Sequence, residues 1–209
     1  MPVLLHLDSS ANLSTSRTRE LTAEFARIWT ERSPDHRTVY RDLHRDQLPH
    51  LETAAQHLPE QFRHGAAVSP EAERQQQALV DELLAADVLL VGAPMYNFSM
   101  PSTLKAWIDN IHIPGVTSPL AEPTQPLAGR PAVIVVAQGA AYDPGSPTAD
   151  WDHGTPALTL ILGNSLGMDV SVITTSRTLA AMNPALDPDQ AARELTAARE
   201  QCAQLATTV

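Results

Sequence analysis

Six hydroxyl side chains, Ser9, Ser10, Ser14, Thr15, Ser16 and Thr18, crowd the stretch after the first apolar run, with Arg17 among them. Hydroxyls and free N–H groups at the start of a helix suit a single phosphate dianion, and an arginine adds a cationic donor. The same hydroxyls also serve as ordinary helix caps. A second group, Met95, Tyr96, Asn97 and Phe98, lies between Pro94 and Pro101. Its sulfur and rings can pack on a flat heteroaromatic ligand while Asn97 bonds the heteroatom edge, or they can simply plug a core. A third group, Gln138, Gly139 and Ala140, brings a glycine that lets backbone approach a ligand closely. The chain has no GxGxxG and no Walker lysine motif, which disfavours a dinucleotide cradle or a triphosphate site.

These groups gain meaning from the elements around them. Val3–Leu7 reads as a buried strand, and Leu21, Phe25, Ile28 and Trp29 fall at helical spacing before Ser33-Pro34-Asp35. A second strand is predicted over Thr38–Leu43. Residues 44–68 read as loop and short helix. Ser69-Pro70-Glu71 starts a helix that buries Leu79, Val80, Leu83 and Leu84. Asp87–Ala93 and Pro131–Ala137 are apolar throughout, as central parallel strands are. A helix runs through Leu104, Trp107 and Ile108, and the prolines at 114, 119, 123 and 126 make 113–130 irregular. Thr155–Leu166 is helical and stops at Gly167. Val170–Thr174 is the last strand, and an Ala-rich helix runs from Pro188.

Five strands alternating with helices predict an α/β, flavodoxin-like, three-layer doubly wound sheet of order 2-1-3-4-5, with residues 1–209 forming a single domain. Ligands bind such sheets at the carboxyl ends of the strands, where the connections reverse direction. That singles out residues 9–18, 94–98 and 138–143.

The bulk numbers narrow the function. The 209 residues are 43% hydrophobic and 18% charged, with a formal net charge of −10. Such an acidic chain is not expected to bind nucleic acid or an anionic membrane surface. Cys202 is the only cysteine, no spaced Cys/His ligand set is present, and Met1-Pro2-Val3-Leu4-Leu5 lacks a signal-peptide pattern. A cytoplasmic protein without a metal site is expected. His6 reads as a satisfied core or edge histidine, Trp107 as a packing or interface residue, and the acids of 187–200 as a solvated face. His112 and His153 lie near the expected pocket rim, where either could donate a proton to a reduced substrate.

Pro94-Met95-Tyr96-Asn97-Phe98, then Leu104-Lys105 and Asp109, resembles the signature of the FMN-dependent NADH:quinone oxidoreductase and azoreductase family. Ser9-Ser10, Ser16-Arg17-Thr18 with Leu21 and Phe25, and Gly115-Val116-Thr117 extend the resemblance over nearly the whole chain. It implies FMN as cofactor, NADH or NADPH as donor, a quinone or azo compound as acceptor, ping-pong turnover and a homodimer. It also implies that Ser10, Ser16, Arg17 and Thr18 hold the phosphate, that Met95, Tyr96, Asn97 and Phe98 contact the isoalloxazine, and that Gln138, Gly139 and Ala140 lie at its pyrimidine end. No protein nucleophile or acid/base triad is required.

Two positions depart from the family pattern. Ala137-Gln138-Gly139-Ala140 stands where Ser-Arg-Gly-Gly is usual, and Ser118-Pro119 follows Gly-Val-Thr where an aromatic is usual. Three alternatives stay open at this level: a reductase of the same fold specialised for one biosynthetic substrate, a non-enzymatic flavin electron carrier or flavin-sensing module, and a phosphate-binding regulatory domain with no redox role.

Overall fold

The structure is a computed structural model that describes residues 1–120 and 125–209. Pro123, part of the stretch expected to be irregular, lies outside the described residues. The strands β1 (Val3–Asp8), β2 (Arg37–Asp42), β3 (Val88–Pro94), β4 (Pro131–Ala137) and β5 (Asp169–Thr175) form one parallel sheet in the order β2-β1-β3-β4-β5. The helices are α1 (Arg17–Glu31), α2 (Pro70–Ala85), α3 (Ser102–Ile111), α4 (Gly154–Thr159) and α5 (Pro188–Thr208). The expected doubly wound topology is observed.

Each face of the sheet is covered because the central strands are apolar on both sides. On one face Leu21, Phe25 and Trp29 of α1 pack with Ala198, Cys202 and Ala206 of α5 on Leu4, Leu90 and Val133. On the other, α2 and α3 bury Leu79, Leu83, Leu104 and Trp107 against Leu5, Leu89 and Ile134. Burying each large apolar side chain contributes about 2–3 kcal/mol, so the strand ends are held on a rigid platform. Trp107 is fully buried, as its reading as a packing residue requires.

Three local features differ from expectation. Residues 44–68 contain two single 3-10 turns, Ala54–His57 and Glu60–Phe62, where one short helix was expected. The helix expected over Thr155–Leu166 begins as α4 and widens into a π turn at Leu160–Ser165 before Gly167 reverses the chain at φ +78°. His6 is buried edge-on to Tyr40, with ring centroids 4.9 Å apart, but its Nε2 has no hydrogen-bond partner and lies 3.5 Å from Asp8 Oδ2. It is a core histidine that is not fully satisfied.

Candidate functional site

Ser16 is the N-cap of α1. Its backbone is extended and its Oγ accepts the Arg19 N–H at 3.3 Å. The first-turn N–H groups of a helix have no partner within it, so this cap leaves those of Arg17 and Thr18 to an external acceptor. Upstream, Asn12 Oδ1 gathers the N–H groups of Ser14 (3.1 Å) and Thr15 (2.9 Å), an Asx turn that curls the loop. Ser9 anchors the loop's root by donating from Oγ to the Gly92 carbonyl at 2.6 Å. The result is a hydroxyl-rich cup over the positive end of α1.

The turn after β3 is built differently. Tyr96 and Ser99 exchange both backbone hydrogen bonds, and Asn97 and Phe98 between them have φ +49° and +69°. Two left-handed residues in succession make a type I′-like turn. Asn adopts this conformation readily, whereas for Phe it is strained. Phe98 is held by its carbonyl, which accepts the His153 N–H at 2.9 Å, and by its ring, which meets Trp151 edge-on at 5.3 Å.

The two turns meet. The Tyr96 hydroxyl accepts the Ala11 N–H at 2.9 Å and lies 3.4 Å from Ser10 Oγ. Between them opens a cavity of about 490 Å³. Ser10, Ser16 and Arg17 line it from the first loop, Met95 and Tyr96 from the second, and Gly139 from the third. That volume is typical of a small-molecule or cofactor site, and the lining divides into a hydroxyl end and an apolar end.

Other residues expected at the site stand near it without lining this cavity. Thr18 is fully buried beneath the helix start, with its hydroxyl 3.0 Å from Ser16 Oγ. The Gln138 carboxamide is taken up inside the protein, donating to Asp152 Oδ2 (2.8 Å) and accepting from Ser176 Oγ (2.8 Å). Ala140 offers its carbonyl to the Arg177 N–H. Asn97 and Phe98 form the exposed tip of their turn; Asn97 borders a neighbouring hollow with Lys105 and Ile161. His112 is tied by Nε2 to Ser165 Oγ at 2.7 Å, and the exposed His153 supports Phe98 through its backbone. Neither histidine lines the cavity between the two turns.

One wall escaped the sequence reading. Thr178, Leu179 and Met182, on the connection from β5 to α5, close the cavity beside Gly139. The N–H groups of Arg177, Thr178 and Leu179 donate to the carbonyls of Ala140, Gln138 and Gly139, which zips this connection to the loop after β4. A Cβ at Gly139 would lie 2.9 Å from Leu179 Cδ1, so the half-exposed Leu179 side chain would have to shift to admit one. Arg177 secures the connection through ion pairs with Asp143 and Glu194, so Glu194 faces inward rather than joining the solvated side of α5. Applying the carboxyl-end rule to the fifth strand as well would have found this wall.

Behind the cup lies a buried charged cluster. Arg19 donates from Nη1 and Nη2 to the two carboxylate oxygens of Asp42, both at 2.8 Å. Asp8 accepts from Thr22 Oγ1 at 2.9 Å and from the Tyr40 hydroxyl at 3.1 Å. Burial alone would raise both carboxyls. The His6 ring 3.5 Å away, the Thr22 hydroxyl and the Arg19 charge more than offset it for Asp8, and Arg19 with two backbone N–H groups does so for Asp42, so both titrate below the usual range. Burial and the two carboxylates push the Tyr40 phenol up to about 12.

A carboxyl whose pKa is depressed on folding contributes stability that is present above its unfolded value, about 3.9 for Asp, and is lost as pH falls through the lower folded value. Denaturant titrations should therefore show stability flat from pH 7 to 5 at this cluster and falling below about pH 4. Asp42→Asn should make that acid limb shallower, and an unchanged limb would remove Asp42 from the cause. Cys202 takes no part in the site: it is buried under α1 and its thiol is pushed up to about 12. Among the described residues no cluster of His, Cys, Asp or Glu could hold a metal ion, and no helix is long and apolar enough to cross a membrane.

Comparison with known proteins agrees with this geometry. Residues 3–206 match the sequence profile of a family described as having a flavodoxin-like fold. An FMN-dependent NADH:quinone oxidoreductase of Kineococcus radiotolerans is 53% identical over 212 residues, covering 100% of both chains. One of the same name from Streptomyces coelicolor is 38% identical, covering 89% of this chain and 84% of the relative. Among solved structures, an azoreductase from Bacillus anthracis superposes with a TM-score of 0.81 over 100% of both chains at 20% identity, a likeness of fold.

Proposed function

Since the chain belongs to this flavodoxin-like family, we propose that it is an FMN-dependent oxidoreductase that transfers hydride from NADH to quinones and azo compounds. The observation that carries the reading is the convergence of the hydroxyl cup and the aromatic turn, joined through the Tyr96 hydroxyl, on one cavity. The 53% identical relative named for this activity supports it over the full length.

FMN fits the residues present. A dianionic phosphate matches the Ser16-capped start of α1, with the hydroxyls of Ser10, Thr15 and Ser16 and the guanidinium of Arg17 as donors. Arg17 also pairs with Glu20 at 2.9 Å, so its role is to orient rather than to add a full unpaired charge. Thr18 acts indirectly, by holding Ser16. A flat tricyclic ring matches the apolar end, with Met95 and Tyr96 on one side and the Gly139 backbone, Leu179 and Met182 on the other. Asn97 and Phe98 present themselves at its exposed edge, and Gln138 and Ala140 fix the backbone there rather than offering side chains.

FMN, when bound, would supply the two-electron chemistry that links a nicotinamide donor to the acceptor. These residues would hold the cofactor in an open cavity that admits donor and acceptor in turn, as ping-pong turnover requires. Reducing a quinone consumes NADH and one proton and yields hydroquinone and NAD⁺. Among the described residues no histidine lines this cavity, so the proton would come from solvent at its open mouth.

Residues 1–209 act as one flavin-binding domain. It pairs as a homodimer through exposed apolar side chains such as Phe98, Trp151 and Leu160. The protein works in the cytoplasm, in keeping with its single buried thiol.

Purified protein should be yellow and should oxidise NADH faster than NADPH with a simple quinone or an azo dye as acceptor. Parallel lines in double-reciprocal plots at varied acceptor would bear out ping-pong turnover. A protein that binds FMN but fails to turn over either acceptor would be an electron carrier or a specialist instead. Light scattering should give twice the monomer mass at micromolar concentration; a monomer would remove the dimer.

A further inference from the structure

Arg19 projects from the first turn of α1 away from the cavity, and the cavity wall does not include it. Its guanidinium nevertheless spends two donors on the loop. Nη2 and Nε donate to the Ser10 carbonyl at 2.7 and 3.2 Å, while Nη1 and Nη2 hold Asp42 and Nη1 reaches the Tyr40 hydroxyl at 3.1 Å. A single planar fork thus ties the end of β1 to the end of β2 from the helix that begins the anion seat.

The electrostatics of this arrangement are unusual. A loop that receives a dianion needs its donors turned inward and its carbonyls turned out. The Ser10 carbonyl is the one beside the seat, and Arg19 draws it backward. Arg19 also lies 3.6 Å from Asp8, so one cation serves two carboxylates that are each under 5% exposed. It therefore neither touches the cofactor nor adds net positive charge. It turns a dipole and screens two buried anions.

We propose that Arg19 is a positioning residue that orients the Ser10 turn toward the FMN phosphate and shields that phosphate from Asp8 and Asp42. This rests on seating the phosphate at residues 10–17. It makes a specific demand: losing Arg19 should weaken the phosphate's contribution to binding while leaving the contribution of the ring intact.

Riboflavin is FMN without the phosphate, so the ratio of the two dissociation constants isolates that contribution. The full-length protein, stripped of flavin and refolded, would be titrated with FMN and with riboflavin by flavin fluorescence. In the wild type FMN should bind much more tightly than riboflavin. Arg19→Ala should shrink the ratio by at least about tenfold, the scale of one charge-assisted hydrogen bond, with riboflavin affinity little changed.

Because Arg19→Ala strands two buried carboxylates, Arg19→Lys is the companion variant. It keeps the charge but cannot fork between Asp42 and the Ser10 carbonyl, and should shrink the ratio by an intermediate factor. If both flavins weaken equally and the ratio is preserved, Arg19 is only structural and the proposal fails. If the wild type itself binds FMN and riboflavin alike, the seating of the phosphate is wrong, a different and earlier failure.

Discussion

Ser16→Asp should cost the protein its cofactor without costing it its fold. Asp caps a helix as well as Ser does, so α1 should start at Arg17 as before. The new carboxylate stands on the cavity wall where the phosphate is to rest. Two unit charges about 4 Å apart near a protein surface repel by about 4 kcal/mol, and solvent at the open mouth reduces this. FMN affinity should fall between about tenfold and about a thousandfold. Far-ultraviolet circular dichroism should be unchanged and the purified variant colourless. Ser16→Ala serves as the control: it removes the cap and a donor without adding charge, and should lose far less affinity. A yellow Ser16→Asp protein with wild-type affinity would place the phosphate elsewhere.

Gly92→Ala should be the most damaging single methyl group in the sheet. Gly92 pairs with Asp8 across β1 and β3, and a Cβ there would lie 2.6 Å from Asp8 Oδ1 and 3.3 Å from Thr22 Cγ2. Neither neighbour has room to move, because Oδ1 accepts from Thr22 and the carboxylate is buried beside His6, Tyr40 and Arg19. Overpacking of this kind costs about 1–3 kcal/mol, and the broken Asp8–Thr22 bond adds about 1 kcal/mol. Urea unfolding should show a loss of about 2–4 kcal/mol. FMN binding should weaken too, since Ser9 hangs from the Gly92 carbonyl. Asp8→Ser in the Gly92→Ala background shortens the obstructing side chain and should recover part of the loss. A loss below about 0.5 kcal/mol, ordinary for a surface change, would mean that Asp8 is not held as described.

Much of this molecule could be read before it was seen folded, and the reasons are physical. Val88–Val91 and Ala132–Val136 are apolar on both faces because helices cover both sides, so they announce central parallel strands. Ser69-Pro70 and Ser16 mark helix starts because each meets a local need of the first turn. The sheet order then follows from the handedness and spacing of the crossovers, and with it the convergence of the loops.

What stayed hidden depends on distant partners. Arg19 looks like one more polar helix residue until folding brings Asp42 to it across 23 positions. The sequence does not show where the Gln138 carboxamide goes until folding brings Asp152 and Ser176 to it. The apolar wall of Leu179 and Met182 sits in a connection with no strong periodicity, and its place comes only from backbone bonds to the loop after β4. The single 3-10 turns between β2 and α2 fall among His, Gln and Pro residues that carry no pattern.

The most direct measurement is a crystal structure of the protein grown with FMN. The phosphate oxygens should lie within about 3 Å of Ser16 Oγ and of the first N–H groups of α1, ordinary hydrogen-bonding reach. The ring should pack between the Met95–Phe98 turn and the backbone at Gly139. Density for FMN at any other place, or a cavity that holds only water at saturating FMN, would contradict the account.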